Sequence, residues 1–263
     1  MPHPILQTVH PQWLPILGTA LNTVDPQYLA KLQQHPNWLP GEKKLFAAFS
    51  LPLSNTKYIL LGESPYPRSQ SANGFAFWDN AVQELWAPTG FSRTVNRATS
   101  LRNFLKMLLK ASGGLQLDYS QQAIANLDKT YYVKTAAEFF NSMLKHGFLL
   151  LNAALVYNQA AGVKFHAHKW QPFIYSIIHQ LKKYNPKLKL LLFGRVAAHF
   201  ATMNDSCIVA PHPYNLSFIT NAKVLLFFKP LNLLQSPHNQ QFMRSAPYDA
   251  DRELTPKYVH KPP

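Results

Sequence analysis

The sequence predicts an α/β fold: a three-layer α/β/α domain around a central, mostly parallel four-stranded sheet. Three observations carry this. Four short apolar runs, at 58–61, 148–151, 190–193 and 207–210, are continuous rather than alternating, which suits strands buried on both faces. Amphipathic segments separate them, in the strand–helix grammar of doubly wound sheets. Each run ends in a polar or glycine-bearing motif: Gly62-Glu63-Ser64-Pro65-Tyr66-Pro67, Asn152, Gly194-Arg195, and Pro211-His212-Pro213-Tyr214-Asn215-Leu216-Ser217. Ligands of such folds bind beyond the carboxyl ends of the strands, so one composite site is expected there.

Taken in order, residues 1–12 read as a loose arm, 13–235 as the domain and 236–263 as a polar, proline-bearing tail, peripheral or disordered. A helix is predicted over 13–35, with Leu14, Leu17 and Leu21 on one face. Pro40-Gly41-Glu42 breaks the chain before a short helix at 43–49. The first strand follows, and 67–97 is mostly loop around the aromatic stretch Gly74-Phe75-Ala76-Phe77-Trp78. A helix starts near Thr99, where Leu101, Phe104, Leu105 and Leu108 recur at helical spacing, and Gly113-Gly114 stops it. A second spans about 130–145. A third runs over 170–184, with Phe173, Ile177, Ile178 and Leu181 facing inward, Pro172 in its first turn and Asn185-Pro186 as its end.

The 263 residues carry 26 Lys and Arg against 12 Asp and Glu, a formal charge of +14. Such a balance invites a polyanionic partner, nucleic acid before an anionic membrane. Cys207 is the single cysteine, which excludes an intramolecular disulfide and any zinc or iron–sulfur site built from several cysteines. The start lacks the charged and apolar regions of a signal peptide, and no apolar run approaches the length of a membrane span. The expectation is a cytoplasmic protein, or one found wherever its DNA is.

Six segments, in order, resemble the uracil-DNA glycosylases, in the branch typified by the common bacterial and human repair enzyme. Gly62-Glu63-Ser64-Pro65-Tyr66-Pro67 resembles that branch's Gly-Gln-Asp-Pro-Tyr-His, and Ala72-Asn73-Gly74-Phe75-Ala76-Phe77 its Ala-His-Gly-Leu-Ala-Phe. Ser100-Leu101-Arg102-Asn103 is similar to its Ser-Leu-x-Asn, and Leu149-Leu150-Leu151-Asn152 to its Leu-Leu-Leu-Asn. His168-Lys169 before Trp170 resembles its His-Lys…Trp, and His212-Pro213-Tyr214-Asn215-Leu216-Ser217 its His-Pro-Ser-Pro-Leu-Ser.

The resemblance implies roles. Leu216 matches an apolar wedge that holds a base step open while the target base leaves the stack. Phe77 matches the residue that stacks on the flipped base. Asn152 matches the edge reader, whose amide can pair with uracil O4 and N3–H. Tyr66 matches the residue that stands against C5 and excludes thymine's methyl. His212 matches the donor to O2 as negative charge develops there. Ser100, Arg102, Lys164, His168, Lys169, Tyr214 and Ser217 form the expected DNA-backbone track, with Arg93, Arg97, His166 and Lys223 beside it. No cofactor or metal is expected, and a monomer acting on single-stranded or lesion-bearing duplex DNA is.

One departure bears on catalysis. The family's aspartate is Ser64 here, which cannot carry negative charge at neutral pH. Glu63 offers the missing carboxylate, with Asp79 the weaker substitute, so Glu63, Ser64 and His212 are the catalytic candidates. A thermostable iron–sulfur branch of the superfamily has a glutamate at the matching position, but its cysteine ligands are absent here. Pro67, Asn73 and Tyr214-Asn215 also depart from the pattern. Tyr214 can stack on a neighbouring base. The expected function is a glycosylase that flips uracil or a related damaged base and hydrolyses its N-glycosidic bond. The alternatives are a non-catalytic DNA-binding protein on the same scaffold, and a glycosylase for another base.

Overall fold

The computed structural model describes residues 9–203 and 206–236. Six strands are present among them: β1 (Tyr58–Gly62), β2 (Trp86–Ala87), β3 (Gly90–Phe91), β4 (Phe148–Asn152), β5 (Lys189–Phe193) and β6 (Cys207–Ala210). The helices are α1 (Leu14–Leu21), α2 (Pro26–Gln34), α3 (Arg93–Arg97), α4 (Thr99–Ala111), α5 (Gln121–Ala125), α6 (Ala136–Lys145), α7 (Gly162–Tyr184), α8 (Val196–Phe200) and α9 (Ala222–Phe228). β4, β1, β5 and β6 form one sheet in that order, every neighbouring pair parallel. β2 and β3 form a separate antiparallel ribbon.

Side chains along the central strands alternate between two buried layers. Ile59, Leu61, Leu149, Leu151, Leu190 and Leu192 pack with Trp13, Leu17, Tyr28, Trp170, Phe173 and Ile177 of the α1, α2 and α7 side. Leu60, Phe148, Leu150, Leu191 and Phe193 pack with Leu105, Phe139 and Phe228 of the α4, α6 and α9 side. Helices therefore cover both faces of β1, β4 and β5, which is why those runs are continuous and why each buried aliphatic side chain there adds about 1.5–3 kcal/mol of transfer energy; β6, expected to be buried likewise, is an edge strand with Val209 exposed. This is the three-layer fold that the sequence predicts.

Chain order across this sheet places the turning point of the topology between β1 and β5. The segment after β1 descends on the α4 and α6 side to reach β4. α7 then crosses back over the other face to β5. Diverging connections leave a crevice at the carboxyl ends of β1 and β5, the usual ligand position in open α/β sheets.

Several boundaries differ from expectation. The stretch 13–35 is two helices, because Asp25 caps α2 through Oδ1 to the amides of Gln27 (2.9 Å) and Tyr28 (3.4 Å), and Pro26 opens it. Leu14 faces solvent rather than the core. The short helix at 43–49 is two 3-10 turns, Glu42–Lys44 and Ala47–Phe49. α6 starts at Ala136, behind a capping box of Thr135 and Glu138. α7 starts at Gly162, so Pro172 is interior and denies the His168 carbonyl its helical partner. Within the expected loose arm, Val9 is buried and the His10 amide donates to Phe49 O at 2.9 Å. Residues 1–8 of that arm and 237–263 of the tail lie outside the described residues, while the Ser236 amide donates to Tyr131 O at 2.7 Å.

Candidate active site

The ladder continues beyond β1 and β4, with Ala153 N–H donating to Gly62 O (2.8 Å) and Ala154 N–H to Glu63 O (3.0 Å). This fixes the main chain of the Gly62–Glu63 corner. Gly62 lies opposite Asn152 in register, and a Cβ on it would stand 2.5 Å from Asn152 Oδ1 and 2.8 Å from Ala76 Cβ. Only glycine leaves room for that amide. Asn152 is 3% exposed, and its side chain makes no hydrogen bond among the described residues. It thus keeps one acceptor and two donors for a ligand.

The aromatic segment is pinned to β4 by Ala76 N–H to Leu150 O at 3.0 Å. Phe77 sits in the left-handed region at φ 64°. Its ring lies 6.0 Å from the His212 ring at 25° between planes, and 6.3 Å from Phe193. The Tyr66 hydroxyl donates to Phe77 O at 3.2 Å. Burial, reinforced by the Asp79 carboxylate, raises the Tyr66 pKa above its ordinary value, so the hydroxyl stays protonated. Asp79 is itself buried and tied to Arg68 (3.2 Å) and to the Ala81 amide (2.9 Å), so both its carboxylate oxygens already have partners.

At the other end of the rim, Gly194 takes φ 67°, and a Cβ there would stand 2.7 Å from His212 Cβ. The Tyr214 amide donates to His212 Nδ1 at 3.1 Å. An acceptor Nδ1 puts the proton of the neutral ring on Nε2, which becomes a donor. Desolvation lowers the His212 pKa; Glu63 opposes that shift and Arg195 adds to it. Beyond this histidine, Tyr214 stands in solvent and Leu216 is 70% exposed, so Leu216 is not a core leucine. The loop that carries them is held from below by Asn103 of α4, a buried residue whose Nδ2 donates to Pro213 O (2.8 Å) and Tyr214 O (3.3 Å). The sequence offers Asn103 only as the last residue of the Ser100-Leu101-Arg102-Asn103 segment; its place beside Phe104 and Leu105 in the apolar part of α4 is the signal for a buried, loop-holding amide.

Glu63 pairs with Arg195 at 3.1 Å, a residue to which the sequence reading gave no role. Ser64 Oγ donates to Pro65 O at 3.3 Å. Of the expected backbone track, Lys164 and His168 are exposed on the first turns of α7, and Ser217 is exposed on the 3-10 turn Leu216–Phe218. Ser100 and Arg102 lie half-buried in the first turn of α4, where Arg102 Nη1 donates to Asn96 O at 3.0 Å. Lys169 is paired with Asp25 at 2.8 Å and ties α7 to α2. His166 is a correction: it is buried, with Nδ1 2.8 Å from the Tyr28 hydroxyl, and so is not on the surface that a backbone track needs. Pro67 lines a groove of about 700 Å³ with Trp38, Tyr157 and Asn158. Among the described residues no cluster of His, Cys, Asp or Glu is arranged to hold a metal, and no helix is long and apolar enough to cross a membrane.

The model of the uracil DNA glycosylase superfamily matches residues 49–246, which span the whole rim. The chain belongs to that superfamily. Among relatives, it is 30% identical to the uracil-DNA glycosylase of Helicobacter pylori (strain Shi470) over 204 residues, covering 74% of this chain and 76% of the relative. It is 28% identical to the uracil-DNA glycosylase of Aliivibrio salmonicida over 186 residues, covering 68% and 69%. In structure it resembles the wild-type UNG of Nitratifractor salsuginis, with 40% identity, a TM-score of 0.82, and coverage of 88% of this chain and 96% of that one. The mimivirus uracil-DNA glycosylase, at 20% identity and a TM-score of 0.57 over 80% of this chain and 71% of that one, shares the fold. In this chain the fold puts Asn152, Phe77, Glu63 and His212 on one rim.

Proposed function

We propose that this chain is a DNA glycosylase that flips uracil, or a related damaged base, and hydrolyses its N-glycosidic bond. The observation that carries the reading is His212. Its Nδ1 is committed to the Tyr214 amide and its ring is desolvated, so it is a preorganised neutral donor on the rim that also holds Asn152 and Phe77. In this reading Leu216 enters the stack, the base lies against Phe77, Asn152 reads its edge, and Tyr66 stands against C5. The bond between C1′ and the base nitrogen breaks with its electron pair leaving on the base. His212 Nε2–H stabilises the charge on O2, a type of contact worth about 10²–10³-fold. Water adds to C1′ and gives up a proton, and the base anion takes one up, leaving free base and an abasic site.

Ser64 supports the second reading, a DNA-binding protein that does not cut. Its hydroxyl holds no charge and is turned onto its neighbour's carbonyl. Loss of a positioned carboxylate removes about 10²–10⁴-fold, which permits either a slow enzyme or a silent pocket. A single-turnover assay on single-stranded and U:G duplex oligonucleotides separates them, with Glu63→Gln and Ser64→Asp beside wild type. Abasic product from wild type, lost in Glu63→Gln, is the expected result. No product from wild type, with activity gained in Ser64→Asp, would replace the first reading by the second.

A further inference from the structure

We propose that Arg195 is an exchangeable DNA-phosphate clamp, which holds the Glu63 carboxylate in the free protein and releases it toward the sugar when a backbone phosphate takes its place. The proposal rests on the glycosylase reading of the same site.

Position is the first argument. Glu63 follows the last residue of β1 and Arg195 lies just past the end of β5. β1 and β5 are hydrogen-bonded neighbours, so the pair bridges the crevice where the topology turns and where ligands of open α/β sheets bind. Arg195 is also fixed beside His212, because the preceding Gly194 lies directly against that histidine. Both charges are felt at the His212 ring, in opposite directions.

Exchange chemistry is the second. One contact joins the two side chains, Nη2 to Oε1, and they are 82% and 47% exposed. An ion pair of that exposure is weak and screened by salt. A guanidinium binds phosphate through two parallel N–H bonds, a stronger arrangement. Arg195 shares its rim with the exposed Tyr214 and Leu216, so a strand engaged by these residues brings phosphates to it. The Glu63 main chain is fixed through Ala154 N–H. Only the side chain has to move, and the carboxylate that Ser64 cannot supply becomes free only when DNA is present.

The test is an affinity cycle on an uncleavable strand. Wild type, Arg195→Ala, Glu63→Gln and the double variant are titrated against a single-stranded oligonucleotide with one 2′-fluoro-uracil nucleotide, over a range of salt. Both residues are exposed, so the variants keep the fold. Arg195→Ala is expected to weaken binding and to lower the slope of log K against log salt by about 0.7, one single-strand phosphate contact. Glu63→Gln is expected to tighten binding by about threefold, since a competitor for the guanidinium is removed, and to leave affinity unchanged once Arg195 is alanine. The proposal is overturned by an unchanged salt slope in Arg195→Ala, or by Glu63→Gln tightening equally in both backgrounds. Failure of the glycosylase reading shows separately, as wild type releasing no base from ordinary uracil DNA.

Discussion

On the β4–β1 half of the carboxyl rim, Asn152 is buried, Gly62 has no room for a methyl group, and Ala76 hydrogen-bonds the neighbouring strand. On the β5–β6 half, Arg195, Tyr214 and Leu216 project into solvent, and the Arg195–Glu63 ion pair is an exposed tie across the crevice. The first half and His212 are shaped before any ligand arrives, whereas the exposed side chains of the second are left to be shaped by one. In the glycosylase reading proposed above, the difference separates two tasks. Reading a base edge needs fixed donors and acceptors, because the discrimination lies in their geometry. Gripping a strand needs exposed groups that trade one partner for another.

The largest break in this comparison is expected from Gly62→Ala. Its methyl would collide with the Asn152 amide and with Ala76, on main chain that cannot shift without breaking the bonds to Ala153 and Ala154. Single-turnover excision should fall by about 10²–10³-fold on single-stranded and duplex DNA alike, since the lost contact is to the base. Equal activity in the variant would mean that Asn152 does not read the base.

Changes on the open half should discriminate between substrates instead. Leu216→Ala is expected to lower excision by about tenfold on duplex and much less on a single strand, because unstacking costs a few kcal/mol only in the duplex. Asn103→Ala should follow the same pattern, because it lets go of the Pro213 and Tyr214 carbonyls. It should also lower the unfolding free energy by about 1–3 kcal/mol, read from urea denaturation. A uniform loss on both substrates would move Leu216 to the rigid half of the comparison.

The smallest effect is electrostatic. Desolvation holds the His212 pKa below its ordinary 6.5, so the ring stays neutral as pH falls through that value. The folded state then binds fewer protons than the unfolded chain. The stability linked to His212 is therefore present above pH 6.5 and is lost as pH falls through the folded pKa. Histidine NMR titration should move this midpoint lower still in Glu63→Gln and higher in Arg195→Ala. Shifts of the same sign in both variants would place one of the two charges away from the ring.

The sheet was legible because β1, β4 and β5 are buried on both faces, which writes an unbroken apolar run into the sequence. The two early helices were run together although Asp25-Pro26 is a cap followed by a first-turn proline. The start of α7 was hidden because Lys164, His166, His168 and Lys169 mask its apolar stripe, and Pro172 imitates a beginning. Asn152 and His212 could be singled out because each stands at the end of an apolar run: Asn152 closes β4 and His212 lies two residues beyond β6. The Glu63–Arg195 pair could not, because it depends on β1 lying next to β5. That order is set by the crossover of α7 and by no local signal.

Phe77 stands at a backbone angle that a side chain with a Cβ avoids, at a cost of about 1–3 kcal/mol. The Phe77 ring is therefore held on the rim of the crevice against the preference of its own main chain. Glycine at 77 would relax the turn and remove the ring in one step. The change would also give up the ring's packing on Phe193 and His212, so what the turn gains in backbone freedom the wall of the crevice loses in contact.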